Sequence, residues 1–211
     1  MTAGTLLVIA KEPRPGRVKT RLTSRYTAGE AAAIAEASLR DTLAAVADTP
    51  AARRVLVLDG RPGDWVPPGF EIVPQADGGL DLRLAAAFAG ADGPTLLVGM
   101  DTPQVTPALL RDGLDLLDEH DACLGRAPDG GWWALGMARP DPAAFPGVPM
   151  SQDDTGEHQL RRLHELGLDV AELPPLRDVD HPSDLPIVAA EAPDGHFAAA
   201  VARLVGAEAP A

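Results

Sequence analysis

A single cysteine, Cys123, stands in a chain of 211 residues. No internal disulfide can form, and the expected compartment is the reducing cytoplasm. No apolar run approaches the roughly 18 residues that a membrane span needs. Hydrophobic residues at 45% and charged residues at 23% sit near the globular average, which excludes a wholly disordered chain. The opening stretch MTAGTLLVIAKEPRPG has an apolar core of only about six residues, with no basic segment before it and no small-residue cleavage site, so it does not read as a signal peptide. Positive charge is also scarce: 18 basic residues face 31 acidic ones, for a net charge of −13. That balance argues against tracking nucleic acid or an anionic membrane, and any anionic ligand must be captured by a local group of cations. Lysine is rarest of all. Sixteen basic residues are Arg and two are Lys, and both lysines, Lys11 and Lys19, fall in one N-terminal segment. Random placement would put both there about one time in fifteen.

What is present alternates between short apolar runs and helical patterns. Thr5 to Ala10 (TLLVIA) reads as a buried strand ended by the Pro-rich Lys11–Gly16 loop. Thr27-Ala-Gly-Glu30 is a capping-box pattern opening a helix over 28–47. Further strands are expected at Val55–Leu58, Phe70–Val73, Thr95–Met100, Ala122–Gly125, Trp132–Met137 and Asp169–Leu173. Helices are expected at Leu80–Ala89, from Thr106-Pro107 to about Glu119, and at Gly156–Leu166. The alternation predicts one three-layer α/β domain over 1–211, with a mainly parallel, doubly wound sheet.

Chemistry concentrates where such strands end. The segment Lys11-Glu-Pro-Arg-Pro-Gly16-Arg-Val-Lys19-Thr-Arg21-Leu22 sets five cations and a flexible glycine just past a buried strand, where open α/β sheets bind ligands. It suits a di- or triphosphate, although it lacks the glycine-lysine spacing of a P-loop. Asp101 follows the second apolar strand directly and is a candidate ligand for Mg²⁺ or Mn²⁺, which favour carboxylates together with phosphate oxygens. In Asp178-Val179-Asp180 an extended backbone would point Val179 away from both carboxylates, so either Asp180 or Asp178 could complete a metal site. Asp129-Gly130-Gly131-Trp132 joins two expected strands; its glycines either let backbone approach a ligand or serve an ordinary hairpin turn. Asp153 and Asp154 are candidates for an acceptor-side base, or simply an exposed acidic loop. The five histidines show no zinc-ligand spacing, and Cys123 lies in an expected strand and reads as core.

Taken in order, K-x-P-x-P-G-x-V-K-T-R-L, Gly99-x-Asp101-x-Pro103, Asp129-Gly-Gly-aromatic and D-V-D-x-P-x-D-L (Asp178 to Leu185) resemble the DUF2064 family of the glycosyltransferase-A superfamily over about residues 5–190. The resemblance implies the nucleotide-diphospho-sugar transferase fold. It also implies a transferase using a nucleotide (an NTP or a nucleotide sugar) and a small-molecule acceptor. Lys11, Lys19 and Arg21 would hold phosphates, Asp101 and Asp180 a divalent metal, and Gly16, Asp129, Gly130 and Gly131 would line the nucleotide. Two elements depart from the family pattern: Gly78-Gly-Leu-Asp81 and Met150-Ser-Gln152. They leave the substrate unassigned: the cationic first loop and the single Asp-x-Pro lean towards nucleotidyl transfer, with glycosyl transfer and a catalytically silent nucleotide-binding regulatory protein as the alternatives.

Overall fold

The computed structural model describes residues 4–208. Its elements run β1 (Thr5–Lys11), α1 (Ala28–Asp48), β2 (Arg53–Asp59), β3 (Glu71–Pro74), α2 (Leu80–Ala89), β4 (Thr95–Gly99), α3 (Pro107–Leu116), β5 (Ala122–Arg126), β6 (Trp132–Met137), α4 (Thr155–Glu165) and β7 (Val170–Leu173). Two further helices close the chain, α5 (Asp184–Glu191) and α6 (His196–Glu208). The strands form one sheet in the order β3-β2-β1-β4-β6-β5-β7. All neighbouring pairs are parallel except those made by β6, which runs antiparallel to both β4 and β5. The sheet is therefore mainly parallel, as the alternation of elements predicts. The turn between β5 and β6 emerges, like the loops after β1 and β4, at the edge where the parallel strands end.

Burial on both faces explains why β1 and β4 read as unbroken apolar runs. Leu6, Val8 and Ala10 pack with Leu39 and Leu43 of α1 and Leu110 of α3, whereas Leu7 packs on the other face with Leu84 and Phe88 of α2 and Leu163 of α4. The expected helix starts are present. Thr27 accepts from the Glu30 backbone N–H at 3.2 Å while the Glu30 carboxylate accepts from the Thr27 N–H at 2.8 Å, and Thr106 accepts from Leu109 N–H at 3.2 Å ahead of Pro107. The third helix ends earlier than expected, because Leu117 and Asp118 N–H turn to the carbonyls of Leu114 and Asp115 and tighten the chain.

Helices α5 and α6 had no counterpart in the expected elements. With α1 they enclose a satellite core in which Ile34, Val188 and Phe197 are buried together with Leu22 and Val179 from two loops. Asp41 on α1 supplies the junction, its carboxylate accepting from the N–H groups of His196 at 2.9 Å and Phe197 at 2.8 Å at the start of α6. Among the described residues no helix is long and apolar enough to cross a membrane. Asp41→Ala is expected to cost about 1–2 kcal/mol, since it strips two N-terminal donors of their acceptor. A urea titration should show a lowered midpoint at unchanged slope.

Candidate functional site

The strand order switches between β1 and β4, parallel neighbours in the sheet whose successors lie on opposite sides, and open α/β sheets bind ligands at such a point. Three segments meet there. The first leaves β1: Pro13 and Pro15 end the strand, Gly16 takes φ 77°, and Arg17 N–H closes a turn on the Arg14 carbonyl at 3.0 Å. The chain then passes through Lys19 in the left-handed region (φ 48°, ψ 41°) and into a short 3₁₀ turn, Thr20–Ser24, anchored by the fully buried Leu22. A left-handed lysine costs of the order of 1 kcal/mol, and the contacts of its side chain show what holds it.

The second segment follows β4. Ser38 of α1 donates to the Met100 carbonyl at 2.8 Å, fixing the backbone just before Asp101. The third follows β7. Val179 N–H donates to the Asp101 carbonyl at 3.0 Å, and the Val179 side chain is fully buried, so Asp178 and Asp180 project the other way, as an extended backbone requires. Asp184 clamps this stretch: its carboxylate accepts from the N–H groups of Asp180 at 3.1 Å and His181 at 2.7 Å and pairs with Arg177 at 3.3 Å.

At the junction lies the ammonium of Lys19. It is 2.7 Å from Asp101 Oδ1 and 3.4 Å from Asp180 Oδ1, donates to the Val179 carbonyl, and leaves its side chain only 5% exposed. Arg21 pairs with the other oxygen of Asp180. Burial works against the charged lysine, but Asp101 and Asp180 outweigh it and hold the ammonium's pKa above its usual value. The sequence places Lys19 at phosphates and the two aspartates at a metal; the structure brings all three together, with the lysine charge on the carboxylates.

A second group adjoins the first. Asp129, Asp178 and Asp180 each offer an oxygen within 4.8 Å of the others. Asp129 reaches this edge because its turn follows β5, which runs parallel to β4 and β7; that β5 lies beside β7 is set by strand order and is not readable from spacing. Desolvation, with repulsion from Asp129 and Asp180, pushes the Asp178 carboxyl up to about 6. Clustered hard oxygens with unbalanced negative charge fit Mg²⁺ or Mn²⁺.

Beside this lies a cavity of about 490 Å³ over the ends of β1 and β2, lined by Lys11, Arg14, Arg17 and Arg61 with Glu12 and Asp59. Its two acids are engaged: Asp59 pairs with Arg83 at 3.2 Å, and Glu12 accepts from the Arg61 N–H at 2.9 Å. The volume lies within the usual range for a small-molecule site. Lys11 connects the cavity to the loop after β4, its backbone N–H meeting the sulfur of Met100, next to Asp101, at 3.3 Å. Gln75 and Arg83, which sequence reading missed, lie outside the lining and brace it through Asp59. Gln75 donates to the Ala10 and Val57 carbonyls at 2.7 and 3.2 Å and accepts from Arg83 at 3.1 Å. Nothing in the spacing of Gln75 or Arg83 marks them out; both are recruited by strand order.

The remaining candidates separate. Gly130 has φ 89°, and a Cβ there would fall 1.7 Å from the Asp153 carbonyl oxygen, while the Gly130 carbonyl accepts from Gly156 N–H at 2.8 Å. Its glycine requirement is met by packing against the start of α4. Gly131 N–H donates to Asp129 Oδ1 at 2.8 Å, closing the turn. Gly16 faces open space. Asp153 and Asp154 are exposed, with Asp154 3.1 Å from His158. Cys123 is buried, and desolvation pushes its thiol up to about 12, so it is core.

Gly130→Ala should destabilise the fold by about 3 kcal/mol or more, combining left-handed strain with a backbone clash, whereas Gly131→Ala should cost far less by urea denaturation. Asp178 makes a prediction of opposite sign to that of ordinary paired carboxylates. Its raised pKa means the folded state keeps a proton that the unfolded state releases, so its contribution to stability falls as pH rises from about 4 through about 6. In EDTA, Asp178→Asn should be more stable than wild type at pH 7, by on the order of 1 kcal/mol, and the difference should vanish below about pH 4.

A model of the bacterial family described as "uncharacterized protein conserved in bacteria", DUF2064, matches residues 32–152. The solved structure of a protein from Desulfovibrio desulfuricans G20, provisionally named a nucleotide-diphospho-sugar transferase, is similar with a TM-score of 0.85 at 25% identity, covering 98% of this chain and 96% of that one. The 2-C-methyl-D-erythritol 4-phosphate cytidylyltransferase of Thermus thermophilus gives 0.56 at 19% identity, over 92% of this chain and 100% of that one. Rv0371c of Mycobacterium tuberculosis H37Rv, in complex with manganese, gives 0.53 at 22% identity, over 89% and 98%. The last two likenesses show a shared fold. No curated protein matches this chain in sequence. With more than half of its length matched by the family model, the chain belongs to the DUF2064 family.

Proposed function

We propose that the chain is a metal-dependent transferase that moves a nucleotidyl group from a nucleoside triphosphate to a phosphorylated small molecule. The observation that carries this reading is the juxtaposition, at one sheet edge, of a cationic cavity and a cluster of four carboxylates. Lys11, Arg14 and Arg17 suit the phosphates of the donor, and Arg21, 56% exposed, can reach the same ligand from the other side of Asp180. Asp129, Asp178, Asp180 and Asp101 would hold Mg²⁺ or Mn²⁺, which when bound would offset the charge on the departing group. In the reaction an acceptor oxygen bonds to the α-phosphorus as the bond to pyrophosphate breaks. The name of the Thermus neighbour, a cytidylyltransferase with a phosphorylated substrate, supports this direction. The name of the Desulfovibrio neighbour favours a second reading, in which a nucleotide sugar is the donor and a nucleoside diphosphate leaves.

A thermal-shift panel of nucleoside triphosphates and nucleotide sugars, with and without Mg²⁺, separates the two. A ligand at 100 times its Kd adds about 2.7 kcal/mol of stability. Triphosphate stabilisation with pyrophosphate release on adding acceptors supports nucleotidyl transfer, and response to nucleotide sugars alone moves the reading to glycosyl transfer. Binding without turnover of any donor would instead describe a regulatory nucleotide-binding protein, and silence from every ligand overturns all three. Within the cavity, Arg14→Ala and Arg17→Ala should each weaken nucleotide affinity about tenfold. Arg139→Ala, at the far edge beside Asp121, should leave it unchanged.

A further inference from the structure

Lys19 is the one cation of the site turned inward. Lys11, Arg14, Arg17 and Arg21 are exposed, whereas the Lys19 side chain is sealed behind Asp101 and Asp180, which are themselves 37% and 27% exposed. Its third contact is the Val179 carbonyl, in a backbone held by Val179 N–H on Asp101 and by the Asp184 clamp. A left-handed backbone at Lys19 and the buried Leu22 three residues on fix the base of the side chain as firmly as its tip. This is the geometry of an internal tether, with no free stretch of side chain to extend towards a phosphate in the neighbouring cavity.

We propose that Lys19 is a positioning residue, a fixed internal cation that makes the acidic cluster take up a divalent metal together with a polyphosphate instead of a metal alone. Asp180 already faces two positive groups, Lys19 and Arg21. A divalent ion approaching by itself must share that carboxylate with both and is repelled by them. A polyphosphate bound by the same ion supplies the missing anionic charge, so each partner raises the affinity of the other by the same factor. This inference rests on the metal and polyphosphate of the proposed function, and it assigns to Lys19 a role distinct from holding phosphate.

The test uses Mn²⁺ binding by electron paramagnetic resonance, with inorganic tripolyphosphate as the probe, on wild type and Lys19→Met. Wild type should bind Mn²⁺ weakly alone and more tightly with tripolyphosphate. Lys19→Met should bind Mn²⁺ alone at least about tenfold tighter than wild type, and the enhancement by tripolyphosphate should shrink. Metal-free tripolyphosphate should bind Lys19→Met as it binds wild type, while Arg17→Ala loses affinity. If Lys19→Met loses as much as Arg17→Ala, the lysine is a phosphate ligand and the proposal falls. Equal Mn²⁺ affinities in wild type and variant overturn this proposal alone. No Mn²⁺ binding to either protein, with or without tripolyphosphate, overturns the metal-dependent reading with it. A measurement on wild type guards against a misfolded variant: Lys11 and Lys19 are the chain's two lysines, so ¹³Cε-lysine labelling gives two side-chain signals. Tripolyphosphate with Mg²⁺ should shift the Lys11 signal strongly and leave Lys19 near its resting position; a Lys19 signal that moves to that of a mobile, solvent-exposed lysine refutes the tether.

Discussion

The ion pair between the Lys19 ammonium and the carboxylates of Asp101 and Asp180 is the contact on which the site's geometry rests. It joins the loop after β1, the loop after β4 and the segment after β7, three parts of the chain that meet at this one ammonium. Buried charges are costly unless paired and hydrogen-bonded. This one is paired twice and also donates to a carbonyl. Its net worth for stability need not be large, because the cost of burying it offsets much of the pairing; what it does is tie the three segments to one point. The same pair restrains mutual repulsion among four neighbouring aspartates, although not completely, as the raised carboxyl of Asp178 shows.

Strand order decides what else reaches this edge. Parallel strands deliver their following loops to one side of a sheet, and β1 and β4 do so here. So does β5, whose following turn, ahead of the reversed β6, brings Asp129 to the carboxylates that follow β4 and β7. The glycines after Asp129 serve that placement: Gly130 lies so close to the Asp153–Gly156 backbone that any side chain is excluded. The loop before α4 is thus packed directly on the turn that carries a candidate metal ligand.

The elements that could be read from the sequence were those whose pattern is local. TLLVIA and TLLVGM report burial on both faces by themselves, and Thr27 with Glu30 reports a helix start by itself. Asp101 could be read because it adjoins a buried strand, and Asp178 and Asp180 because an extended backbone puts both on the face opposite Val179. What could not be read depended on contacts between distant segments. Lys19 looked like a phosphate ligand because its neighbours in sequence are cations; that it turns inward is decided by Val179 and Asp180, some 160 residues away. Gln75 and Arg83 carry no signal of their own, since their partners Ala10, Val57 and Asp59 are set by the pairing of β1, β2 and β3. Helices α5 and α6 follow a stretch whose apolar residues make sense only once α1 is there to receive them.

Those two helices also determine how firmly the ion pair is held. Leu22, just beyond Lys19 and Arg21, and Val179, between Asp178 and Asp180, are buried in the same small core as Val188 of α5 and Phe197 of α6. Each of these charged groups is therefore one to three residues from an apolar anchor in a common cluster. Because packed interiors resist small displacements, fixing the anchors fixes the spacing of the charges above them. The exposed cations of the first loop have no such anchor between Lys11 and Val18, and its bend is set by two prolines and a glycine. The site thus combines two kinds of positive charge. Lys19 is buried and paired with carboxylates, whereas Lys11, Arg14 and Arg17 are exposed.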